Sequence, residues 1–260
     1  MSIELTWGDE QVRAIFHSEE PDLTSRFDQL FPSVWPEYNR HGDVLHPAWE
    51  QLYECFPEYQ FVLVEERTGR MIARGNTIPF VWDGTVDGLP GGIDDLIVLG
   101  LAGQEKGLEP NTISAMAAEV PRRNRSKGFG VLVLKTMAAL AEARGFANLL
   151  APARPSWKER YPLAPISEYV TWKAADGLPF DPWLRAHLML GAEILKPAPE
   201  SLRITGTVAE WESWTGLAYP ATGTYVFPWG LSTLDIDRDA DRGRYWEPNV
   251  WILHKVPPGG

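Results

Sequence analysis

The segment ISAMAAEVPRRNRSKGFGVLVLKTMAALAEARGFANLL, residues 113–150, holds three local patterns in succession. The clearest is helical. From Phe129 to Arg144, apolar residues at Val133, Leu134, Met137, Leu140 and Ala141 recur at helical spacing, with Arg144 in the last turn and Gly145 just past it. Phe146 to Ala151 then reads as a buried strand. Ahead of the helix, the run ISAMAAEV is open to two readings. Its Ala and Met favour helix, whereas its length and flanks suit a buried strand.

Between the two lies Arg125-Ser126-Lys127-Gly128-Phe129-Gly130. Two glycines let a backbone approach a ligand closely, and the first-turn amides of a helix, at the positive end of its dipole, face whatever lies ahead of them. That arrangement suits a phosphate group. Arg122, Arg123, Arg125 and Lys127 place four positive charges within six residues of a chain whose formal charge is −11, supplying the local basic site an anionic ligand needs. A solvated basic turn before a core helix would carry the same residues.

Working outward, the acidic balance, 24 Lys+Arg against 35 Asp+Glu, repels a polyphosphate backbone and argues against nucleic-acid binding. The 44% of hydrophobic residues in a 260-residue chain suffice for a substantial core. The single cysteine, Cys55, excludes an intramolecular disulfide and fits a reducing cytoplasm. The first twenty residues lack a signal-peptide pattern, and no run of about 18 apolar residues points to a membrane span. No metal site is expected: His17, His41 and His46 form no ligand grouping, and the acidic run from Asp235 to Asp241 has Arg242 and Pro248 where a calcium loop needs Gly and Glu.

The remaining chain reads as a short strand Ile3 to Thr6, a helix from about Asp9 to His17 capped by Asp9, and a Pro- and aromatic-rich arm from Pro21 to Pro57 with short helices near Ser25 to Leu30 and Ala48 to Cys55. Tyr59 to Glu65 and Arg70 to Ile78 form a β-hairpin about Arg67-Thr68-Gly69-Arg70. Asp83 to Gly92 and Gly100 to Gly107 read as loops. A helix from Pro182 to Leu190, capped by Asp181, leads into a strand, and Ser201 to Trp214 is β-rich. Strand-like pieces at Gly223 to Phe227 and Asn249 to His254 flank a charged loop. Without repeats or a linker, residues 1–260 read as a single domain, with a core of about 59–214 and a C-terminal extension over 215–260.

The 113–150 run resembles motif A of the GCN5-related N-acetyltransferases (GNAT), whose pyrophosphate loop is Arg/Gln-x-x-Gly-x-Gly/Ala between a strand and a long helix; Arg125, Gly128 and Gly130 match it. His187-Leu-Met-Leu-Gly-Ala192 is more loosely similar to the family's Tyr-x-x-Leu-Gly-Phe. The resemblance implies an α/β fold with a mixed, mostly antiparallel sheet flanked by helices, to which this chain adds the N-terminal arm and C-terminal extension. It also implies that strands four and five splay to admit the pantetheine of coenzyme A, which makes Ile113 to Val120 a strand.

By the resemblance, acetyl-CoA is the cofactor, held by Val120, Arg125, Ser126, Lys127, Gly128, Phe129 and Gly130, with Ser156 where the family often has a pantetheine-contacting Asn. Ser156 suits a short helix cap equally well. Glu119 is a candidate base, since a carboxylate in a partly dry cleft can hold a raised pKa. For the acid, His187 takes the family's Tyr place relative to Leu190-Gly191, while Tyr161 stands nearer the expected distance after the fifth strand. The implied activity is acetyl transfer to a small amine, by a monomer or homodimer. Another acyl donor or acceptor, or a non-catalytic acyl-CoA-binding module, are the alternatives. The acceptor site is expected between the arm and the extension, with Trp211, Trp214, Tyr219, Tyr225 and Trp229 as walls and Glu210 and Glu212 for an ammonium group.

Overall fold

A computed structural model describes residues 3–32, 34–124 and 127–257. Its strands are β1 (Ile3–Trp7), β2 (Glu10–Phe16), β3 (Gln60–Glu65), β4 (Met71–Phe80), β5 (Thr112–Glu119), β6 (Asn148–Ala153), β7 (Glu193–Gly206), β8 (Gly223–Tyr225), β9 (Leu234–Asp237) and β10 (Arg242–Lys255). The helices are α1 (Asp22–Leu30), α2 (Leu45–Cys55), α3 (Ile93–Glu105), α4 (Phe129–Ala143), α5 (Ile166–Tyr169), α6 (Pro182–Met189) and α7 (Val208–Thr215). The sheet runs β1-β2-β3-β4-β5-β6-β10-β9-β8, and β7 also pairs with β10. Every pairing is antiparallel except β5 with β6.

Motif A folds as its pattern indicates. β5 is buried almost throughout, Gly128 stands at the head of α4 with φ +79°, and α4 sinks Leu132, Val133, Met137, Leu140 and Ala141 into the core. Asp181 caps α6 by accepting from the backbone N–H of Trp183 and Leu184. The two helices of the arm and the β3–β4 hairpin also form.

Other segments differ from the sequence expectation, each for a local reason. Residues 10–16 form a strand, not a helix: Val12, Ala14 and Phe16 alternate inward and the strand pairs with both β1 and β3. The supposed loop from Gly100 to Gly107 is largely the end of α3, where Gly100 admits the side chain of Ile78; a Cβ there would lie 2.3 Å from Ile78 Cδ1. The stretch from Ser201 to Trp214 divides at Thr207, whose hydroxyl accepts from the backbone of Glu210 while the Glu210 carboxylate takes the backbone N–H of Thr207, a capping box that starts α7.

The largest correction concerns residues 215–260, which are no appendage. β10 pairs with β6 along one edge, from Val250 opposite Ala153 to Lys255 opposite Asn148, and with β7 along the other. The stretch between Phe227 and Asn249 that reads as a charged loop holds β9, a short turn and the first half of β10, with Arg242 to Tyr245 paired against Asp237 to Leu234. Tyr245, Val250, Trp251, Ile252 and Leu253 are buried in the same cluster as the α4 residues. Burial of five such side chains contributes on the order of 10 kcal/mol, as much as the net stability of an ordinary domain. A chain ending at Trp214 is therefore expected not to fold, giving a disordered far-UV circular dichroism spectrum and no cooperative urea transition.

Candidate active site

β5 and β6 run side by side for two residue pairs, Ile113 with Leu149 and Ser114 with Leu150, and then part. At the fork the Ser114 hydroxyl donates to the Leu150 carbonyl at 3.1 Å. Beyond it each strand is held from its outer side, β5 by β4 and β6 by β10. Met116 is an extra residue in the β4–β5 register, a bulge that bends β5 where the gap opens. The result is a cleft of about 1550 Å³ lined by Ala115 to Val120 on one wall and Ala151 to Arg154 on the other.

One mouth of the cleft is made by the head of α4 and by α6. Gly128, Phe129, Gly130 and Val131 line it, with Pro182, Trp183, Ala186 and His187 opposite. The open faces of the two glycines admit indole rings: a Cβ on Gly128 would lie 2.5 Å from the ring of Trp7, and one on Gly130 would lie 2.9 Å from that of Trp183. The arm makes the other mouth, through Asp28, Trp35, Asn39, His46, Glu50, Tyr53 and Glu54.

Two ion pairs, the first fully buried, fasten the arm to the sheet. Arg74 on β4 lies opposite Glu119 on β5 and donates to its Oε2 through Nε at 3.0 Å and Nη2 at 2.6 Å. Trp35 Nε1 donates to Glu119 Oε1 at 2.9 Å, and Asp28 lies 2.9 Å from Arg74 Nη2. On the other wall, Arg154 Nε donates to Glu247 Oε1 at 3.0 Å, and Asn39 Nδ2 donates to the same oxygen at 3.2 Å. Arg154 Nη2 and the Tyr38 hydroxyl both donate to the Trp229 carbonyl, at 2.8 Å each, where Trp229 takes a left-handed backbone with φ +69°. Burial, opposed by Arg74, pushes the nearby Tyr53 hydroxyl up to about 12.

The candidate residues separate in space. Glu119, Val120, Gly128, Phe129, Gly130, Ser156 and His187 all line the cleft. Glu119 is buried with both oxygens engaged by Trp35 and Arg74, which is the setting of a structural ion pair and not of a base waiting for a proton. Lys127 is exposed in the turn ahead of α4, and Arg125 and Ser126 lie outside the described residues. Ser156 caps no helix through its side chain; its backbone N–H donates to Asp181. Tyr161 stands off the cleft, in an aromatic cluster with Tyr169, Trp172 and Phe180. Of the expected acceptor walls only Trp229 reaches the cleft, since Trp211 and Tyr219 are fully buried core. Glu210 is engaged in its capping box and Glu212 accepts from the backbone of Tyr219.

His187 is buried, with Nδ1 2.8 Å from His254 Nε2 of β10 and the edge of Trp183 against its ring. Its Nε2 has no partner among the described residues. Burial first, then the neighbouring His254, pushes His187 down to about 3, and burial pushes His254 down to about 4. Both rings are thus neutral at physiological pH. His254, Arg74, Trp35, Trp183, Arg154 and Glu247 were absent from the expected site. The signal for three of them was a polar residue set in an apolar strand run: Arg74 in MIARGNTI, Glu247 beside NVWIL, and His254 in VWILHKV.

No protein-family model matches the chain. Among curated proteins, the arginine N-acetyltransferase avaD of Aspergillus versicolor is 31% identical over 266 residues, covering 91% of both chains. Among solved structures, the loading GNATL domain of CurA from Lyngbya majuscula superposes with a TM-score of 0.59 at 17% identity, over 95% of this chain and 98% of that one. The GphF GNAT-like decarboxylase, in complex with isobutyryl-CoA, gives 0.57 at 18% identity, over 94% and 98%. The structural likenesses establish the fold, and the sequence relative establishes the family. The chain belongs to the GCN5-related N-acetyltransferases. It is an acetyl-CoA-dependent N-acetyltransferase. The site fits that donor: two strands part to leave a slot between their backbones, and the slot opens onto the head of α4 with its two glycines.

Two outcomes are expected. Replacing either Arg74 or Glu119 by Leu strands a buried charge, so each single variant should lose about 3–5 kcal/mol in urea unfolding, and the double variant less than their sum. For the histidine pair, folded-state values far below the ordinary 6.5 mean that the unfolded chain binds protons the native state refuses. Their contribution is complete above about pH 6.5 and is lost as pH falls toward about 4 and below. The melting temperature should fall across that range less steeply in the His187→Gln/His254→Gln double variant than in the wild type; equal slopes would trace the acid sensitivity elsewhere.

Proposed function

We propose that the acceptor is L-arginine or a close guanidino amine, entering from the arm side of the cleft. The observation that carries this is the 31% identity with an arginine N-acetyltransferase across 91% of both chains, a match that takes in the arm as well as motif A. The charge of the arm supports it. Glu50 and Glu54 are exposed, one helical turn apart on α2, and both line the cleft, a spacing that offers two carboxylates on one face to a planar cation. Asp28 stands on the same mouth.

When bound, acetyl-CoA supplies an acetyl thioester whose carbonyl carbon is open to attack by an amine. The chain's own groups then have three tasks. The first-turn amides of α4, with Arg125, Ser126 and Lys127 ahead of them, hold the pyrophosphate, and the inner edge of β5 up to Val120 aligns the pantetheine arm. The parted strands bring the amine, from the arm side, to the reacting carbon. His187 handles the proton, because Tyr161 stands off the cleft and both oxygens of Glu119 are engaged. The enzyme works in the cytoplasm, where its one thiol, Cys55, stays reduced.

Release of free thiol from acetyl-CoA, followed against L-arginine, agmatine, L-lysine, L-ornithine and putrescine, tests the acceptor. The highest kcat/KM is expected for arginine; turnover of another amine with arginine inert would overturn the assignment. His187→Ala should lower kcat by roughly 100-fold while leaving acetyl-CoA binding intact, and near-normal turnover would remove His187 from the proton path.

A further inference from the structure

His254 has no role in the scheme above, yet its position is tightly defined. It sits on β10 opposite Leu149, the residue of β6 that pairs with Ile113 at the fork. Its Nε2 lies 2.8 Å from His187 Nδ1, with ring centroids 5.1 Å apart. His254 and His187 are 6% and 1% exposed, so neither gains much from water. A buried ring nitrogen with no partner, such as His187 Nε2, leaves its desolvation uncompensated, and two neutral imidazoles put polar groups where packing needs none.

The tautomer follows from which orphan is tolerable. A buried N–H without an acceptor is rarer in proteins than a buried acceptor without a donor. The unpartnered His187 Nε2 is therefore the lone-pair nitrogen, Nδ1 carries the hydrogen, and Nδ1–H donates to His254 Nε2.

We propose that His254 is the positioning residue of the acetyl transfer, holding His187 in its Nδ1–H tautomer so that the Nε2 lone pair serves the cleft as a proton shuttle. This rests on the assignment of His187 to proton transfer. The balance closes without a further reactant. As the nitrogen–carbon bond forms and the carbon–sulfur bond breaks, its electron pair passing to sulfur, one proton must leave the nitrogen and one must reach the sulfur. His187 Nε2 takes the first and delivers the second, and the ring ends neutral as it began. While it carries the extra proton, the imidazolium is steadied by its Nδ1–H bond to His254, a neutral acceptor that does not trap it.

The test is a cycle of variants in the full-length protein, with thiol release for kcat and KM and thermal melting to confirm folding. His254→Leu removes the acceptor and is expected to lower kcat by about 10-fold or more with KM for acetyl-CoA unchanged. His254→Gln places an amide oxygen near the Nε2 position and should recover most of the loss, a rescue that a purely packing role would not give. His254→Leu added to His187→Ala should cost nothing further, because residues that act as a unit are not additive. Full kcat in a folded His254→Leu variant, absence of rescue by His254→Gln, or multiplied losses in the double variant would each overturn the proposal. Should His254→Leu fail to fold, the His254→Gln variant decides alone: kcat at the level of His187→Ala would overturn it. A silent His187→Ala would instead sink the prior assignment of His187.

Discussion

Two neighbouring parallel strands gain by pairing along their whole length, yet β5 and β6 pair at only two positions, and the enzyme depends on their staying apart beyond Ser114. The gap is kept open because each strand has a better partner on its outer side. β5 is tied to β4 by a ladder whose last rung is the Arg74–Glu119 ion pair, and β6 is tied to β10 from Ala153 to Asn148. The slot that admits the donor is therefore a property of the outer strands as much as of the two that line it.

The same constraint explains why the polar groups lie where they do. Arg74, Glu119 and Glu247 are charges taken out of water at the walls of the cleft, and Arg154 is partly so; an unpaired one would be costly there. Each pair is completed by groups from the arm: Trp35 and Asp28 for the first, Asn39 and Tyr38 for the second. The arm is thus held by hydrogen bonds to a cleft that already needs those bonds, and its remaining carboxylates stay at the mouth, facing entry from solvent.

Motif A was legible in the sequence because its signals are local: a 3.6-residue period in α4, a glycine at a left-handed position and a buried run on either side. The errors arose where tertiary contacts set the local structure. Gly100 and Gly103 resemble loop punctuation, but Gly100 is the point where α3 comes close to β4. The alternation of Val12, Ala14 and Phe16 was present but short enough to read as helix. Glu210 reads as a ligand group, yet Thr207-x-x-Glu210 has the spacing of a capping box. In the site, His187 was legible through the family motif; His254, 67 residues further along, is one polar residue in an apolar strand, and only the fold brings the two rings together.

The central place of β10 also orders events during synthesis. The ribosome completes β1 to β6 long before residues 242–255 emerge, so the inner strands wait with one edge of β6 bare and the apolar face destined for Trp251 and Ile252 uncovered. A strand that pairs with β6, β7 and β9 but is made after all three is a gate on their folding. The nascent chain can assemble its donor-binding helix early, yet the β6 wall of the slot gains its outer partner, and the His254 ring behind it, only once β10 emerges.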